Sequence, residues 1–308
     1  MTKYAISRLL QALLVVVLVT LIVAYTVRLS GDPAVALFQG ASAPTKEDLE
    51  RIRSALGLDR PFLVQYLEFL GGFFTGDLGT SFRSGQPVAQ LIAERLPATL
   101  LLAVCSMAIS LLLSFPLGVY SAVRKGGAVD FWIRALSLVG LSFPNFWLGI
   151  MLILLFGVVL RWLPPSGFEG ASSLVLPSVT LGLILTSTTV RILRASMLEV
   201  LRSQYVTVAR SKGLSERVVL YKHALRNASI PILTFVGLQF GGLIGGVVIV
   251  EQVFAWPGLG SLALSAIANR DYPVLQSTVA VLSAVVVLVN YLIDLSYGLI
   301  DPRISMES

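Results

Sequence analysis

The chain has 308 residues, of which 56% are apolar and only 13% are charged. Ordinary soluble domains are about one quarter charged, so this composition excludes a water-soluble protein of this length. The net charge of +6 lies in short basic segments beside apolar runs, and this distribution argues against nucleic-acid binding.

Six uncharged apolar runs follow one another along the chain, at 9–27, 98–122, 135–160, 170–190, 228–250 and 272–293. Each approaches or exceeds the roughly 20 residues that a helix needs to cross a bilayer. Backbone polar groups in lipid must bond within the chain, and the runs lack the alternation of a membrane barrel. We therefore predict an all-α membrane protein with six transmembrane helices.

Charge in the connecting segments predicts the orientation of these helices. If both termini are cytoplasmic, segments 1–8, 123–134, 191–227 and 301–308 together hold 14 Lys or Arg and 5 Asp or Glu. Short cytoplasmic loops carry an excess of basic residues, so we predict an N-in, C-in arrangement.

This topology divides the chain into four regions. Residues 1–30 form a first transmembrane helix that is not cleaved, because its apolar run is too long for a usual signal peptide. Residues 31–97 form an extracytoplasmic loop region. Residues 98–300 form a five-helix transmembrane core with a cytoplasmic loop at 194–229, and residues 301–308 form a cytoplasmic tail.

The extracytoplasmic segments contain three predicted elements. Residues 45–56 favour a short helix with Thr45 as its N-cap and acidic residues in its first turn. An aromatic stripe predicts a helix that lies on the membrane surface or on other spans; it consists of Phe62, Tyr66, Phe69 and Phe73. The apolar stretch 258–268 is too short to span and predicts a re-entrant or surface element.

The stretch 205–231 is the most informative part of the chain. Apolar residues recur at helical spacing on both sides of Gly213, and the stripe changes phase at this glycine, which suits a helix end or a bend. Basic residues crowd the segment: Arg202, Arg210, Lys212, Arg217, Lys222 and Arg226. The pattern predicts a helix–glycine–helix segment that a cytoplasmic partner grips.

Some residues within the spans serve either a transport pathway or packing: Asn145, Gly237, Gln239, Gly241 and Asp294. Glycines at four-residue spacing allow helices to approach closely, either within this chain or against a second membrane subunit. Pro144 lies mid-span and predicts a bend beside Asn145. Asp294 is either functional or paired with an arginine such as Arg191 or Arg194.

Residues for chemistry are scarce. The chain contains no Gly-Lys dipeptide and therefore no phosphate-binding P-loop. His223 is its only histidine and Cys105 its only cysteine, so we expect no metal site, no cofactor and no catalytic residues.

An ordered set of short motifs runs through nearly the whole chain: Gly31-Asp32-Pro33, Leu56-Gly57-Leu58-Asp59, Gly76-Asp77-Leu78-Gly79, Pro97-Ala98-Thr99-Leu100, Ser142-Phe143-Pro144, Leu176-Pro177-Ser178, Gly237-Leu238-Gln239-Phe240-Gly241, Val253-Phe254-Ala255-Trp256-Pro257-Gly258-Leu259-Gly260, Arg270-Asp271-Tyr272-Pro273 and Asp301-Pro302-Arg303. With this set the chain resembles the inner-membrane permease subunits of bacterial dipeptide and oligopeptide ABC importers. The resemblance implies a type I ABC importer permease fold in the bacterial inner membrane.

The stretch 205–231 resembles the cytoplasmic coupling loop of that family. Its peptide-importer version has matching residues at Ala209, Gly213, His223, Asn227 and Pro231. The resemblance implies that the segment contacts an ATPase, together with Tyr205, Arg210, Lys212 and Leu214. The general motif begins with Glu, whereas this chain has Thr207 at that place, so a salt bridge from that position is not available.

The resemblance also implies partners. These are a second permease subunit in a heterodimer, two cytoplasmic ATP-binding subunits and an extracytoplasmic solute-binding protein. Short peptides are the default cargo, and glutathione, a nickel chelate or haem are alternatives within the family. Three other classes are less consistent with the residues. A secondary transporter would need ion-coupling acids at mid-span, where only Asp294 is available, and an intramembrane enzyme would need a nucleophile with a base, whereas no span holds a histidine. A structural scaffold leaves the amphipathic segment unexplained.

Overall fold

A computed structural model describes the backbone of residues 2–29, 31–37 and 45–300. Within these ranges the side chains of 2–9, 12, 36, 244 and 294–300 are not described. The predicted tail 301–308 and the side chain of Asp294 therefore lie outside the described residues.

The described secondary structure is helical, apart from an isolated bridge between Thr80 and Pro87. Twelve α-helices are present in these ranges: α1 Thr2–Leu29, α2 Pro33–Leu37, α3 Lys46–Ala55, α4 Phe62–Thr75, α5 Val88–Val123, α6 Ala128–Ser142, α7 Asn145–Leu152, α8 Val175–Leu201, α9 Gln204–Ser211, α10 Leu225–Val253, α11 Leu259–Asn269 and α12 Tyr272–Ile300. Two π-helical segments, Ile153–Val159 and Val218–Ala224, and a 3₁₀ turn, Ala171–Leu174, complete them. The prediction of an all-α protein is confirmed for the described residues.

Three stretches in the described part of the chain are long and apolar enough to cross a membrane: α5, Ala171–Leu201 and Tyr272–Ile293. Two bent pairs raise this number to five if each is one span; they are α6 with Asn145–Val159, and Val218–Leu243 with Gly245–Val253. The first predicted run lies in α1. The exact number of six spans and the N-in, C-in arrangement stay predictions.

The bend predicted at Pro144 is confirmed and is large. α6 and the helical stretch that follows it differ in direction by 105°. Phe143 is extended, with φ −92° and ψ 133°, because a residue before proline is pushed out of the helical conformation. The predicted run 135–160 is therefore a broken helix, and the Phe143 and Trp147 rings stack across the break at 4.3 Å.

The chain divides into two compact units, residues 1–99 with 257–308 and residues 100–256. In the first unit, α1 and α11 pack on α12. The Tyr66 hydroxyl on α4 donates to the Val17 carbonyl at 2.7 Å and lies 3.0 Å from the Thr20 hydroxyl, both on α1. The aromatic helix therefore packs on the first span, which was one of its two predicted positions.

A short loop of the first unit is tied to the α11–α12 connection. Ser81 donates to the carboxylate of Asp271 at 2.5 Å, and the backbone N–H of Phe82 donates to it at 3.1 Å. The guanidinium of Arg83 donates to the side chain of Asn269 at 2.7 Å. Asp271 is buried, so these donors take the place of water as hydrogen-bond partners of its carboxylate.

Elsewhere in the first unit, α3 has the N-terminal cap that the sequence predicts. The Thr45 hydroxyl accepts from the N–H of Asp48, and the Asp48 carboxylate accepts from Thr45 in return, which completes a capping box. The hydrogen bonds from Thr45 hold the pKa of Asp48 below its usual range.

In the second unit, α8 lies at the centre and packs against α6, α7 and α10. An apolar cluster is buried between the ends of α5 and α8 and the beginning of α10; its members are Val119, Ala122, Leu193, Met197, Ala224, Ala228 and Ile232. Because α8 leads directly into α9, this cluster forms the base from which the segment after α8 projects.

Candidate functional site

The segment between α8 and α10 folds as two helices separated by a glycine. α8 ends at Leu201, Ser203 is extended with ψ 150°, and α9 follows from Gln204 to Ser211. Gly213 then reverses the chain, and the π-helical segment Val218–Ala224 leads into α10. We call residues 203–227 the coupling segment, after the role that the sequence predicts for it.

Gly213 adopts a conformation that suits glycine. Its φ is +77°, and its backbone N–H donates to the Arg210 carbonyl at 2.9 Å. No atom lies within 4 Å of the position that a Cβ would take, so space does not limit this residue. The positive φ alone disfavours other residues, because L side chains rarely adopt it.

The inner side of the coupling segment is apolar and closed. Val206, Ala209 and Val219 are buried and pack together. This contact joins α9 to the π-helical segment, so the two halves form one folded piece. Ala209 therefore packs inside the segment and is not available to a partner.

Two polar contacts also link the two halves of the coupling segment. The Asn227 amide donates to the Tyr205 hydroxyl at 2.8 Å. The guanidinium of Arg210 donates to the carboxylate of Glu216 at 2.8 Å and 3.3 Å, on either side of Gly213. Three predicted site residues, Tyr205, Arg210 and Asn227, thus also hold the shape of the segment.

The outer side combines exposed apolar and basic side chains. Exposed apolar and aromatic residues are Tyr205, Val208, Leu214 and Tyr221. Exposed basic residues are Arg202, Arg210, Lys212, Arg217, Lys222 and Arg226, while His223 is half-buried. Such a surface suits a protein partner with an apolar recess and acidic groups around it.

A buried ion pair lies beside the base of the segment. The guanidinium of Arg194 on α8 donates to the Asp130 carboxylate from Nε at 2.7 Å and from Nη2 at 2.9 Å. Ser121 donates to the same carboxylate at 2.6 Å and the N–H of Gly126 at 2.9 Å. Asp130 is 1% exposed. The sequence analysis missed this residue, since Asp130 and Arg194 are 64 positions apart.

Two candidate pathway residues make contacts between helices of the second unit. Gln239 on α10 donates to the Leu185 carbonyl at 3.2 Å and accepts from the Thr189 hydroxyl at 3.0 Å, both on α8. The amide nitrogen of Asn145 lies 3.1 Å from the place where Gly246 would carry a Cβ. The glycine thus leaves room for Asn145 beside α10.

The predicted glycine stripe of α10 is only partly covered. Gly237 is buried, Gly241 is half-buried and Gly245 is exposed. The exposed side chains of Leu238 and Ile249 continue the open part of this face. Arg194, one of the two arginines named as a partner for Asp294, binds Asp130. The side chain of Asp294 lies outside the described residues, so its pairing stays a prediction.

Two further acidic residues have structural roles that the sequence did not predict. Asp271 anchors the loop around Ser81, and Glu251 near the end of α10 is fully buried. The carbonyl of Glu251 accepts from the N–H of Trp256 at 2.8 Å. Trp256 itself is buried, and the centroid of its ring lies 4.8 Å from that of Phe168. In the sequence, Asp271 belongs to the motif Arg270-Asp271-Tyr272-Pro273 and Glu251 follows an apolar run, but neither signal indicates these contacts.

The described part of the chain is helical, with several membrane-length helices and an exposed basic segment between two of them, which is the architecture of a multi-span membrane protein. Residues 114–306 match the family described as "Binding-protein-dependent transport system inner membrane component", and residues 1–103 match its N-terminal model. The chain belongs to this family of ABC importer permeases. It is therefore a multi-pass protein of the bacterial inner membrane. Membership of this family implies another permease and ATPase subunits as its partners.

Full-length relatives agree with this assignment. The chain is 43% identical over 305 residues to the glutathione transport system permease protein GsiC of Pectobacterium atrosepticum, covering 99% of both chains. It is 38% identical over 316 residues to the oligopeptide transport system permease protein AppB of Bacillus subtilis, again covering 99% of both.

A solved structure shows the same fold. The MetNI methionine ABC transporter in an inward-facing conformation contains a chain that is 18% identical, with a TM-score of 0.61. The similarity covers 69% of this chain and 97% of that one. The predicted type I permease fold is thereby confirmed.

Proposed function

We propose that this chain is one permease subunit of an ATP-driven importer of short peptides. It forms half of the translocation pathway in a heterodimer with a second permease. Two cytoplasmic ATP-binding subunits and an extracytoplasmic solute-binding protein complete the transporter. The extracytoplasmic region 31–97, the core 98–300 and the coupling loop 194–229 keep the roles that the sequence predicts for them.

The observation that carries this proposal is the outer side of the coupling segment. Its exposed Leu214 and Tyr221 lie among basic side chains, on a piece whose inner side is fully packed. A surface of this kind gains stability when a partner covers its apolar residues and pairs its charges. An ATPase subunit docked on this surface would move the coupling segment as the ATPase binds and hydrolyses ATP.

The cargo follows from the relatives. Full-length similarity links the chain both to proteins named for peptide transport and to one named for glutathione transport. Glutathione is itself a tripeptide, so short peptides are the cargo class that both names share. Glutathione is the second candidate because a relative with that name is 43% identical.

The function is tested in proteoliposomes with the complete transporter. The chain is coexpressed with its second permease, ATPase subunits and binding protein, and uptake of a labelled dipeptide, a labelled tripeptide and labelled glutathione is measured. We expect ATP-dependent uptake of peptides. Uptake of glutathione alone would assign the second candidate, and uptake of none of them by an assembled, ATP-hydrolysing complex would refute peptide import.

The division of labour is tested in the same preparation. The purified chain alone is expected to show no ATP hydrolysis, because it contains no P-loop. Hydrolysis is expected when the ATPase subunits are present. Hydrolysis by the isolated chain, free of contaminating ATPase, would contradict the proposed role.

A further inference from the structure

The carboxylate of Asp130 joins four parts of the second unit. It accepts from Ser121 near the end of α5, from Gly126 in the α5–α6 turn and from Arg194 near the end of α8, and it belongs to α6. Arg134, one turn further along α6, approaches the same carboxylate at 3.5 Å. One side chain thus fixes the α5–α6 turn to the end of α8.

The end of α8 is also the beginning of the coupling segment. Arg194 lies two turns before Leu201, and Leu193 and Met197 on the same turns belong to the apolar cluster that includes Ala224 and Ala228. The hydrogen bond from Ser196 to the Ala228 carbonyl, at 3.1 Å, adds a polar link to α10. The pair and the cluster therefore hold adjacent faces of α8, the helix that leads into α9.

We infer that Asp130 and Arg194 are positioning residues for transport, which keep the α5–α6 turn and the base of the coupling segment together as one rigid body throughout the cycle. This inference rests on the proposed function and deepens it. A movement of the coupling segment is then passed to α5 and α6 through this carboxylate, as well as to α8 and α10 through the chain itself.

The geometry favours a pair that stays closed over a pair that opens as a gate. The carboxylate is buried and satisfied by four hydrogen bonds, two of them from one guanidinium. Opening such a pair leaves a buried charge without a partner, and this is strongly unfavourable. A gate that opens in every cycle would be built from exposed or singly bonded charges instead.

The test replaces the ion pair by a covalent link. Asp130→Cys and Arg194→Cys are combined in a Cys105→Ala background, and the assembled transporter is treated with a short bifunctional thiol reagent. Without the reagent, peptide uptake is expected to fall about tenfold or more, because the two elements are no longer held together. With the reagent, uptake is expected to return to at least half of that of the Cys105→Ala protein. If the pair instead opened as a gate in each cycle, the tether would prevent that opening, and uptake would not recover after treatment with the reagent.

A matched control keeps the same loss of charge but places the tether elsewhere. Asp130→Cys with Arg134→Cys removes the same carboxylate, and the reagent then links two positions of α6 only. We expect no recovery of uptake. Uptake is also measured for the milder variant Asp130→Asn and for the charge exchange Asp130→Arg with Arg194→Asp. For every variant, the amount of subunit in the membrane and the amount of copurified ATPase check that the protein has folded.

The outcomes separate this inference from the proposed function. If the Cys105→Ala transporter imports peptides but the untreated double-cysteine variant imports equally well, or the tether abolishes uptake, only the rigid-body inference is wrong. If the Cys105→Ala transporter assembles and imports no peptide, the proposed function fails first. Equal recovery of peptide uptake in both tethered variants would also overturn the inference, because a link between two positions of α6 does not join α6 to α8.

Discussion

At the scale of single residues, Gly213 determines the shape of the coupling segment through its backbone alone. With φ at +77°, a β-branched side chain is strained by about 1–3 kcal/mol, although nothing nearby would collide with it. We expect Gly213→Val to insert into the membrane normally and to lose peptide uptake, together with the stimulation of ATP hydrolysis by the loaded binding protein. Uptake and ATPase assays in proteoliposomes measure both.

The matched control is Gly213→Asn. Asparagine tolerates the left-handed region better than other non-glycine residues, so this variant should retain much more uptake than Gly213→Val at equal abundance. Wild-type uptake by Gly213→Val would mean that the conformation at this position does not matter for coupling.

Single residues also mark the limit of sequence reasoning. The phase change of the apolar stripe predicted the position of Gly213, because helical periodicity is a local property. Nothing local pairs Asp130 with Arg194 or Ser81 with Asp271, which are 190 positions apart. The roles of Gln239 and Asn145 could not be resolved from the sequence either, since an amide that packs against a neighbouring helix looks the same there as one that lines a pathway.

At the scale of elements, α4 is attached to α1 by several contacts, among which the Tyr66 hydroxyl can be removed without changing the ring. Tyr66→Phe keeps the ring and removes the hydrogen bond to the Val17 carbonyl and the contact with Thr20. We expect the free energy of unfolding in detergent to fall by about 0.5–1.5 kcal/mol, the usual range for one hydrogen bond between membrane helices. A thermal unfolding scan measures this. Tyr25→Phe, at an exposed ring on α1, is the control and should change nothing.

The loop between Thr80 and Pro87 depends on Asp271 in the same way. Asp271→Ala removes the acceptor for Ser81 and for two backbone N–H groups, which should loosen the loop by about 1–3 kcal/mol. In a Cys105→Ala background, a cysteine at exposed Ser84 should then react several times faster with a thiol reagent. Asp77→Ala is the control, because this exposed carboxylate accepts from the N–H of Gly79, outside the loop between Thr80 and Pro87, and its loss should leave the Ser84 rate unchanged.

Elements were predicted better than their connections. Apolar run length, the capping residue Thr45 and the short stretch 258–268 predicted α5, α3 and α11 because each signal is contained in one segment. The bend at Pro144 was also predicted, but its size of 105° was not. That size depends on how α6 and α7 pack against other helices, and the sequence of the bend does not contain this information.

At the scale of the whole molecule, the orientation in the membrane is the property that the rest of the proposal requires. If the termini are cytoplasmic, Ser84 faces the outside and Ser215 the inside. Single cysteines at these exposed positions in a Cys105→Ala background should differ in intact cells. An impermeant thiol reagent is expected to label position 84 and to reach position 215 only after the cells are opened. Labelling of 215 alone in intact cells would reverse the orientation and place the coupling segment on the wrong side for an ATPase.

The π-helical segment Val218–Ala224 has a consequence for how the chain tolerates changes in length. A π turn accommodates one more residue than an α-helix, so deletion of a single residue there can produce an ordinary helix without disturbing either flank. The same deletion within α10 would rotate everything beyond it by about 100° and present the wrong face to its neighbours. In this part of the chain, natural variants of the permease with a one-residue gap are therefore expected to carry it between 218 and 224 rather than within α10, because the π turn can lose one residue and become an α-helical turn.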